Sequence, residues 1–465
     1  MVRHVSAATA APDRRCRRNG LAQPATGSCE QRGAAPGGPV PAIRVTSVTT
    51  TGSPRIPTAS AARALRDAMT DQLLTDGKIT SPRVEYAFRT VPREQFVPAG
   101  TTLEAAYDAY QAVVTKTSEN GAAISSVSAP FIQARMIEQA ELRPGMSALE
   151  VGSGGYNAAL LAEVVGPEGR VVTADIDAEV TDRASFLLDA TGYGGRVTVT
   201  LADAEQGAPE FAPFDAVIVT VGAWDIPPAW REQLTDGGRL VVPLRMNGIT
   251  RAIAFRREAG HLVSTSSEVA GFVAMQGAGA RHESALPLTD AQGRRVELRF
   301  DEGAPENPHQ LDGVLATEPA EVWSGATIGH GVSFADLHLW FACFLPGFCR
   351  ITAEKDVLAL STGRWFPFGA VRDDSLAYLV VRPAAGGTGS EFGARAYGCH
   401  AEAAAAVMVE QIRAWDRQAR RGPAPTFAFW PTGSDELDLP DGVAVMEKAH
   451  GLVAISWPAA EKRST

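Results

Sequence analysis

The sequence predicts an α/β fold built on a doubly wound, mostly parallel sheet. Between residues 147 and 257, short apolar strands alternate with helical stretches. This alternation indicates parallel strands joined by right-handed helical crossovers, with helices covering both faces of the sheet. Two further strand-like runs flank Gly260 and predict an antiparallel hairpin at the edge of this sheet.

The elements of this region are predicted in order from the periodicity of their apolar residues. Strands are expected at 147–152, 171–176, 197–203, 214–221, 239–244, 250–257 and 261–269. Helical stretches are expected at 157–166, 178–190 and 223–234 between these strands, and at 60–77 and 130–142 before them. Beyond residue 284 we expect strands at 295–300 and 377–382 and helices at 334–344 and 400–420.

The chain is divided into three parts by length and composition. Its 465 residues exceed one ordinary compact core. Residues 1–57 lack periodicity and are rich in Ala, Pro, Gly and Arg, which predicts a disordered extension. Residues 58–284 form the predicted doubly wound domain, and residues 285–465 form a predicted C-terminal α+β domain.

Charge and cysteine usage exclude several classes of protein. Residues 1–57 hold eight Arg, one Asp and one Glu, which gives a charge of +6. Because the whole chain has a net charge of -10, the remaining residues carry -16. Such an acidic body is unsuited to phosphate backbones, so no nucleic-acid partner is expected. The five cysteines are scattered and no histidine pair has metal-ligand spacing. We therefore expect no metal, a reducing cytoplasmic setting and, since no apolar run spans a bilayer, no membrane partner.

A glycine-rich turn follows the first strand of the sheet and predicts a ligand site. Glycines at a strand-to-helix turn allow close approach of a ligand to the backbone, and the helix N-terminus offers free N–H groups. Glu150, just before this turn, is expected to anchor a ligand ammonium group or to orient the turn. The turn residues are Gly152, Ser153, Gly154 and Gly155.

Two acidic residues close the following strands at the same sheet edge. Asp175 is expected to accept the ribose hydroxyls of a nucleoside, and Asp203 with the adjacent N–H of Ala204 to contact an adenine edge. The alternative for each acid is a helix N-cap or a solvated charge. Asn157 stands where the dinucleotide fingerprint needs its last glycine, which disfavours a pyrophosphate and favours S-adenosylmethionine over NAD.

Four segments between residues 60 and 260 resemble, in order, those of the protein-L-isoaspartate O-methyltransferases. They are VPREQFVP at 91–98, SAPFIQARM at 128–136, ALEVGSGGYNAALLAEVVG at 148–166 and FDAVIVTVGAWDIPPAWREQLTDGGRLVVPL at 214–244. The resemblance implies a class I methyltransferase fold, S-adenosylmethionine as cofactor, and a peptide or protein acceptor.

Two departures from the family pattern point to a changed substrate. The glycine turn is one residue shorter than the family's usual form, and Phe131 stands where the family commonly has histidine. With its C-terminal extension, the chain looks most like the FxLD-system methyltransferases, which are linked to ribosomally made lanthipeptide precursors. The resemblance to that branch implies methylation of an aspartate of a peptide, leading to succinimide or isoaspartate. The alternative function is repair of isoaspartate in proteins, and the non-enzyme alternative is a cofactor-binding scaffold.

The resemblance also implies where the acceptor carboxylate is held. Ser128 matches the family's substrate-side serine, with Pro130 fixing the entry to the next helix, although Ser128 as a helix N-cap is an alternative. Thr220 and Gly222 follow the fourth strand and are expected to line the same crevice. A carboxylate is already ionised near neutral pH, so no general base is required.

Overall fold

The computed structural model describes residues 59–152, 154–258, 260–434 and 443–458. The extension expected at residues 1–57 lies outside this part of the chain, as does Ser153. The helices are α1 (Ala59–Thr75), α2 (Pro82–Thr90), α3 (Leu103–Ala106), α4 (Pro130–Ala140), α5 (Tyr156–Val165), α6 (Ala178–Ala190), α7 (Pro228–Glu232), α8 (Ala335–Phe344) and α9 (Ala401–Gln418).

A ten-stranded sheet forms the centre of the fold. Its strands are β3 (Ser147–Val151), β4 (Arg170–Asp175), β5 (Val197–Leu201), β6 (Phe214–Val219), β7 (Leu234–Met246), β8 (Ile249–Glu258), β9 (His261–Val269), β17 (Thr426–Pro431), β18 (Ala444–Glu447) and β19 (Gly451–Ser456). The spatial order is β18-β19-β17-β9-β8-β7-β6-β3-β4-β5. The pairs among β5, β4, β3, β6 and β7 are parallel, and those among β7, β8 and β9 are antiparallel.

Side chains of the parallel strands are buried on both faces of the sheet. Leu149 and Val217 enter one apolar core, whereas their neighbours Ala148 and Ala216 enter the other. Successive strand residues point to opposite faces, so this alternation requires a covering layer on each side. The predicted doubly wound α/β class is therefore confirmed.

Two local predictions are wrong in this sheet. The hairpin β8–β9 does not form the edge, because β17 pairs with β9 through Ala428 opposite Val263 and Phe429 opposite Leu262. The stretch predicted as a helix over 223–234 is helical only in α7. Pro227 and Pro228 account for the late start, since proline lacks an N–H donor and is favoured only in the first helical turn.

The residues beyond 284 add an antiparallel sheet of seven strands. They are β10 (Ser284–Thr289), β11 (Arg295–Phe300), β12 (Ala320–Ile328), β13 (Phe348–Ala353), β14 (Arg364–Arg372), β15 (Ser375–Pro383) and β16 (Ser390–Tyr397), in the order β10-β11-β13-β14-β15-β16-β12. The buried stripe of α9, including Met408 and Ile412, belongs to the same apolar core as Leu379 of β15. The last three strands, β17 to β19, instead extend the ten-stranded sheet, so that sheet continues across the boundary predicted at residue 284.

The N-terminal helices of the described chain pack in the apolar core on one face of the ten-stranded sheet, where Met69, Phe88 and Ile137 join Ala148 and Ala216. A two-stranded hairpin, β1 (Val113–Thr117) and β2 (Ala123–Val127), precedes α4. Among the described residues, no helix combines the length and the apolar character needed to cross a bilayer.

Candidate active site

A crevice opens at the carboxyl ends of the parallel strands, where ligands bind in doubly wound sheets. Four residues predicted from the sequence line it together, namely Gly152, Asp175, Asp203 and Ala204. Apolar side chains of Ile176, Val180, Val221 and Met275 complete much of the wall. Asp177 adds a third carboxylate to this lining. Carboxylates beside apolar side chains suit a nucleoside, whose hydroxyls need acceptors and whose base needs an apolar slot.

The turn after β3 approaches its neighbours so closely that it requires glycine. Gly152 has φ +95°, and a Cβ there would lie 2.7 Å from the Thr220 Oγ1 atom. That hydroxyl donates to the carbonyl oxygens of Val151 at 3.1 Å and Gly152 at 3.0 Å, which holds it in place. Gly155 has φ +81°, and its Cβ would meet the Phe96 ring at 3.2 Å. The turn is therefore shaped by its packing before any ligand arrives.

We expect Gly152→Ala to lower the free energy of unfolding by about 2 kcal/mol, because it adds a left-handed alanine and a contact with Thr220. Gly154→Ala is the matched control in the same turn. A Cβ at Gly154 has the Ser126 carbonyl oxygen, at 3.8 Å, as its nearest neighbour. The control should stay within about 1 kcal/mol of the parent protein in urea unfolding. Equal losses in the two variants would contradict this account.

Glu150 orients the turn from beneath it. Its carboxylate is only 1% exposed. One oxygen accepts from the Asn157 side-chain amide at 2.8 Å, and the other from the Thr173 hydroxyl at 2.5 Å. These contacts join β3, β4 and α5 below the turn. They support the second of the two roles expected for Glu150, which is to orient the turn rather than to anchor a ligand ammonium group. Burial raises the pKa of Glu150 to about 7.

The raised pKa of Glu150 predicts a pH dependence of stability. An acid with pKa 4.5 in the unfolded chain and about 7 in the folded protein stabilises the fold fully below pH 4.5. That contribution is lost as the pH rises through about 7. Relative to Glu150→Gln, the parent protein should therefore lose about 2 kcal/mol between mildly acidic and mildly alkaline pH. Urea unfolding of both proteins across this range measures the difference, and parallel profiles would refute it.

The two acidic strand ends hold backbone segments around the crevice. An Asp175 oxygen accepts from the Asp177 N–H at 2.9 Å. Asp203 accepts from the Glu205 N–H at 3.1 Å and, with its other oxygen, from the Ala278 N–H at 2.8 Å. The cap that was the alternative reading of Asp203 is thus present in the structure, and the same side chain also lines the crevice.

Two segments without any sequence signal complete the crevice. Ile124 and Ser125 come from β2. The β1–β2 hairpin is held there by Lys116, whose ammonium group lies 2.6 Å from Asp177 and 2.7 Å from Glu179 at the start of α6. This salt bridge joins the two sides of the crevice mouth.

The second segment is the strap, which we define as residues 270–283. Its residues Ala274, Met275 and Gln276 line the crevice. Gly222 fixes the strap by donating to the Val273 carbonyl at 2.7 Å and accepting from the Met275 N–H at 3.1 Å. Thr220 and Gly222, which were predicted to face the substrate, are thus occupied in holding the glycine turn and the strap, whereas Val221 between them lines the crevice.

The predicted substrate-side residue Ser128 lies in the turn between β2 and α4. It is not the N-cap of α4, because the helix begins at Pro130 and its cap is Ala129, which makes no side-chain cap hydrogen bond. The preceding residue Ser126 has its carbonyl oxygen 3.8 Å from the Cβ position of Gly154. The segment that contains Ser128 therefore adjoins the glycine turn.

A buried arginine, unnoticed in the sequence, holds the Ser128 turn. The Arg93 side chain is fully buried and donates to the Ser128 carbonyl at 2.8 Å, the Ala106 carbonyl at 2.7 Å and the Gln133 amide oxygen at 2.9 Å. Its guanidinium also lies 4.8 Å from the centre of the Tyr156 ring, at the first residue of α5. Arg93 thereby connects the substrate-side turn to the helix that follows the glycine turn.

In the described parts of the chain, no group of three or more His, Cys, Asp or Glu side chains is arranged to hold a metal ion.

Comparison with known proteins identifies the same region as a methyltransferase. Residues 64–279 match the family model described as protein-L-isoaspartate(D-aspartate) O-methyltransferase. A protein-L-isoaspartate O-methyltransferase of Hyperthermus butylicus is 40% identical over 190 residues, which are 39% of this chain and 76% of that protein. One of Ignicoccus hospitalis is 43% identical over 173 residues, which are 37% of this chain and 78% of that protein.

Among solved structures, a protein-L-isoaspartate O-methyltransferase is similar to this chain with 24% sequence identity and a TM-score of 0.43. The match covers 50% of this chain and 84% of that one. The sequence relatives are matched over more than three quarters of their own lengths. The chain therefore belongs to the protein-L-isoaspartate O-methyltransferase family, and the predicted enzyme class, an S-adenosylmethionine-dependent carboxyl methyltransferase, is confirmed.

Proposed function

We propose that this chain transfers a methyl group from S-adenosylmethionine to the side-chain carboxylate of an isoaspartyl or aspartyl residue in a peptide or protein. The observation that carries the proposal is the convergence of Gly152, Asp175 and Asp203 in one crevice. The glycine leaves room for close backbone approach, and the carboxylates supply acceptors for ribose and adenine. When bound, the cofactor supplies an electrophilic methyl group on a sulfonium.

The residues of this chain act mainly by positioning in this proposal. The acceptor carboxylate is ionised near neutral pH and needs no general base. Alignment of the two reactants contributes as much as about 7 to 11 kcal/mol in favourable cases. The Ser128 turn, held by Arg93, is the candidate for presenting the carboxylate beside the glycine turn. The β1–β2 hairpin and the strap line the crevice and, in this proposal, shield the bound cofactor from water.

Methylation of a matched pair of peptides tests this function. We expect the purified protein and S-adenosylmethionine to convert an isoaspartyl peptide to its methyl ester, detected by mass spectrometry as the addition of one methyl group. The aspartyl twin reports the acceptor preference. The proposal would be overturned if the protein bound the cofactor in calorimetry but methylated neither of these peptides nor a lanthipeptide-type precursor peptide. That result would favour a scaffold role.

A second candidate is the maturation of a lanthipeptide-type precursor through an aspartyl ester. Phe131, which replaces the family's usual histidine, supports it. Phe131 lies three residues after Ser128 and stacks on the Tyr110 ring with 5.1 Å between centres, so the substrate side presents an aromatic surface. In the ester, the following backbone nitrogen attacks the side-chain carbonyl carbon, the bond to the methoxy oxygen breaks, and methanol leaves with the proton of that nitrogen, which closes a succinimide.

The precursor candidate has its own experiment. A precursor peptide encoded beside this gene should lose one water in the presence of the enzyme and cofactor, and its unmodified aspartate should react faster than an isoaspartyl peptide. Faster methylation of the isoaspartyl peptide would favour repair instead. Cys343 and Cys349 are buried thiols outside any disulfide, which suits the cytoplasmic setting that we propose for either reaction.

The C-terminal part, residues 285–465, is proposed to recognise the acceptor peptide. The family match ends at residue 279, so this part lies outside the region shared with the relatives. Its seven-stranded sheet and α9 share an apolar core with the ten-stranded sheet.

A further inference from the structure

A turn after β5 carries two of the residues that line the cofactor crevice. We define the Asp203 turn as residues 203–208, of which Asp203 and Ala204 belong to the crevice lining. The buried Trp230 side chain of α7 holds this turn from beneath, because its indole N–H donates to the Ala204 carbonyl at 2.7 Å. The backbone of the turn is thus anchored within the region that matches the family.

The side chain of Glu205, the third residue of the Asp203 turn, lies between two other segments. It is only 13% exposed. On one side it packs against the strap, where the Cβ position of Gly279 is 2.6 Å from the Glu205 Oε2 atom. On the other side, the Nε2 atom of His450 lies 3.2 Å from the Glu205 Oε1 atom. An ionised carboxylate can only accept hydrogen bonds, so the imidazole is the donor in this contact.

The backbone of His450 is fixed independently of its imidazole. Its N–H donates to the Asp225 carboxylate at 2.7 Å, between β6 and α7. Its carbonyl oxygen accepts from the Thr432 N–H at 3.0 Å, just after β17. These contacts dock the turn between β18 and β19 on the rest of the protein. The imidazole is therefore presented to Glu205 from an anchored backbone.

The contact between His450 and Glu205 joins the C-terminal part to the walls of the cofactor crevice. The Asp203 turn and the strap form one unit there, because the Ala278 N–H of the strap donates to Asp203 at 2.8 Å. Without the imidazole, the Glu205 carboxylate would lose the donor that keeps it beside the strap. Both crevice walls would then gain freedom that a bound cofactor must remove. Ordering of this kind at binding lowers affinity.

We propose that His450 is a positioning residue for the cofactor. Acting through Glu205, it holds the Asp203 turn beside the strap and so raises the affinity for S-adenosylmethionine. The inference rests on the proposed function in that the crevice is the cofactor site. His450 lies beyond residue 279, where the family match ends, so the C-terminal part completes the cofactor site in addition to recognising the peptide.

Cofactor titration of full-length variants tests this role. His450→Ala is expected to bind S-adenosylmethionine about fivefold more weakly in isothermal titration, because one hydrogen bond to a carboxylate is lost. His450→Gln should stay within about twofold of the parent protein, since its amide donates from the position of Nε2. In methylation assays, His450→Ala should raise KM for the cofactor and leave kcat and KM for the peptide unchanged.

His309→Ala is the matched control. The Nδ1 atom of His309 lies 3.2 Å from Asp312, the same separation as in the His450 pair, but this imidazole is 79% exposed and lies outside the crevice lining. Its loss should change cofactor affinity by less than about twofold. His450→Leu guards against misfolding of the alanine variant. It keeps apolar bulk without a donor, so it should weaken binding as His450→Ala does, with an unchanged binding stoichiometry.

A double-mutant cycle with Glu205→Ala tests whether His450 acts through Glu205. In the Glu205→Ala background, His450→Ala should weaken cofactor binding by less than about twofold. An undiminished fivefold effect in that background, or equal affinities of the parent protein, His450→Ala and His450→Leu, would overturn the inference. No cofactor binding by the parent protein would instead remove the proposed function itself, so the two failures are distinguishable.

Discussion

Replacing Asp175 by alanine is expected to weaken S-adenosylmethionine binding about 100-fold. Asp175 ends β4 and lines the crevice, and we propose that it accepts the two ribose hydroxyls. Hydrogen bonds to a charged group contribute about 1.5 to 3 kcal/mol each, and each 1.4 kcal/mol corresponds to about tenfold in affinity. Loss of both hydrogen bonds to the ribose is therefore expected to weaken cofactor binding by about 100-fold. Isothermal titration of the cofactor measures this change in affinity.

The control for this variant is Asp182→Ala. Asp182 is an exposed carboxylate of α6, outside the crevice lining, so its removal changes net charge by the same amount without removing an acceptor from the crevice. Its affinity should stay within about threefold of the parent protein. Asp175→Asn separates charge from shape, because the amide keeps one acceptor oxygen. If Asp175→Ala binds the cofactor as tightly as Asp182→Ala, the ribose assignment fails.

The sequence predicts the parallel part of the ten-stranded sheet well because the signals of this part are local. Apolar runs, the glycines of 152–155 and the acids at two strand ends all act within a few residues of the sites that they mark. Parallel topology then places the carboxyl ends of the strands at one edge. This is why Gly152, Asp175, Asp203 and Ala204 meet in the crevice as expected.

The remaining architecture depends on contacts between distant residues. β17 pairs with β9 although Ala428 and Val263 are far apart in sequence, and no local pattern distinguishes this pairing from a separate sheet. The strap also has no periodicity, and its place over the crevice follows from hydrogen bonds to Gly222 and Asp203. Arg93 has no comparable signal in the sequence, because a single arginine in a polar stretch is usually exposed.

Arg93→Met is expected to lower the free energy of unfolding by about 4 kcal/mol. The methionine fills part of the space but leaves the carbonyls of Ala106 and Ser128 and the Gln133 amide oxygen without the donor that Arg93 provides. Each buried polar group that loses its partner costs about 1 to 3 kcal/mol. Arg63→Met, at a side chain that is 77% exposed, is the control and should change stability by less than about 0.5 kcal/mol in urea unfolding.

Arg93→Lys distinguishes a positioning role from a purely structural one. Lysine keeps the charge but cannot reproduce the fixed fork that reaches Ala106, Gln133 and Ser128 at once. In the folded variant we therefore expect kcat for peptide methylation to fall about tenfold or more, because the Ser128 turn is displaced from the glycine turn, while cofactor affinity changes little. If kcat is retained despite lower stability, Arg93 only supports the fold and the Ser128 turn does not present the acceptor.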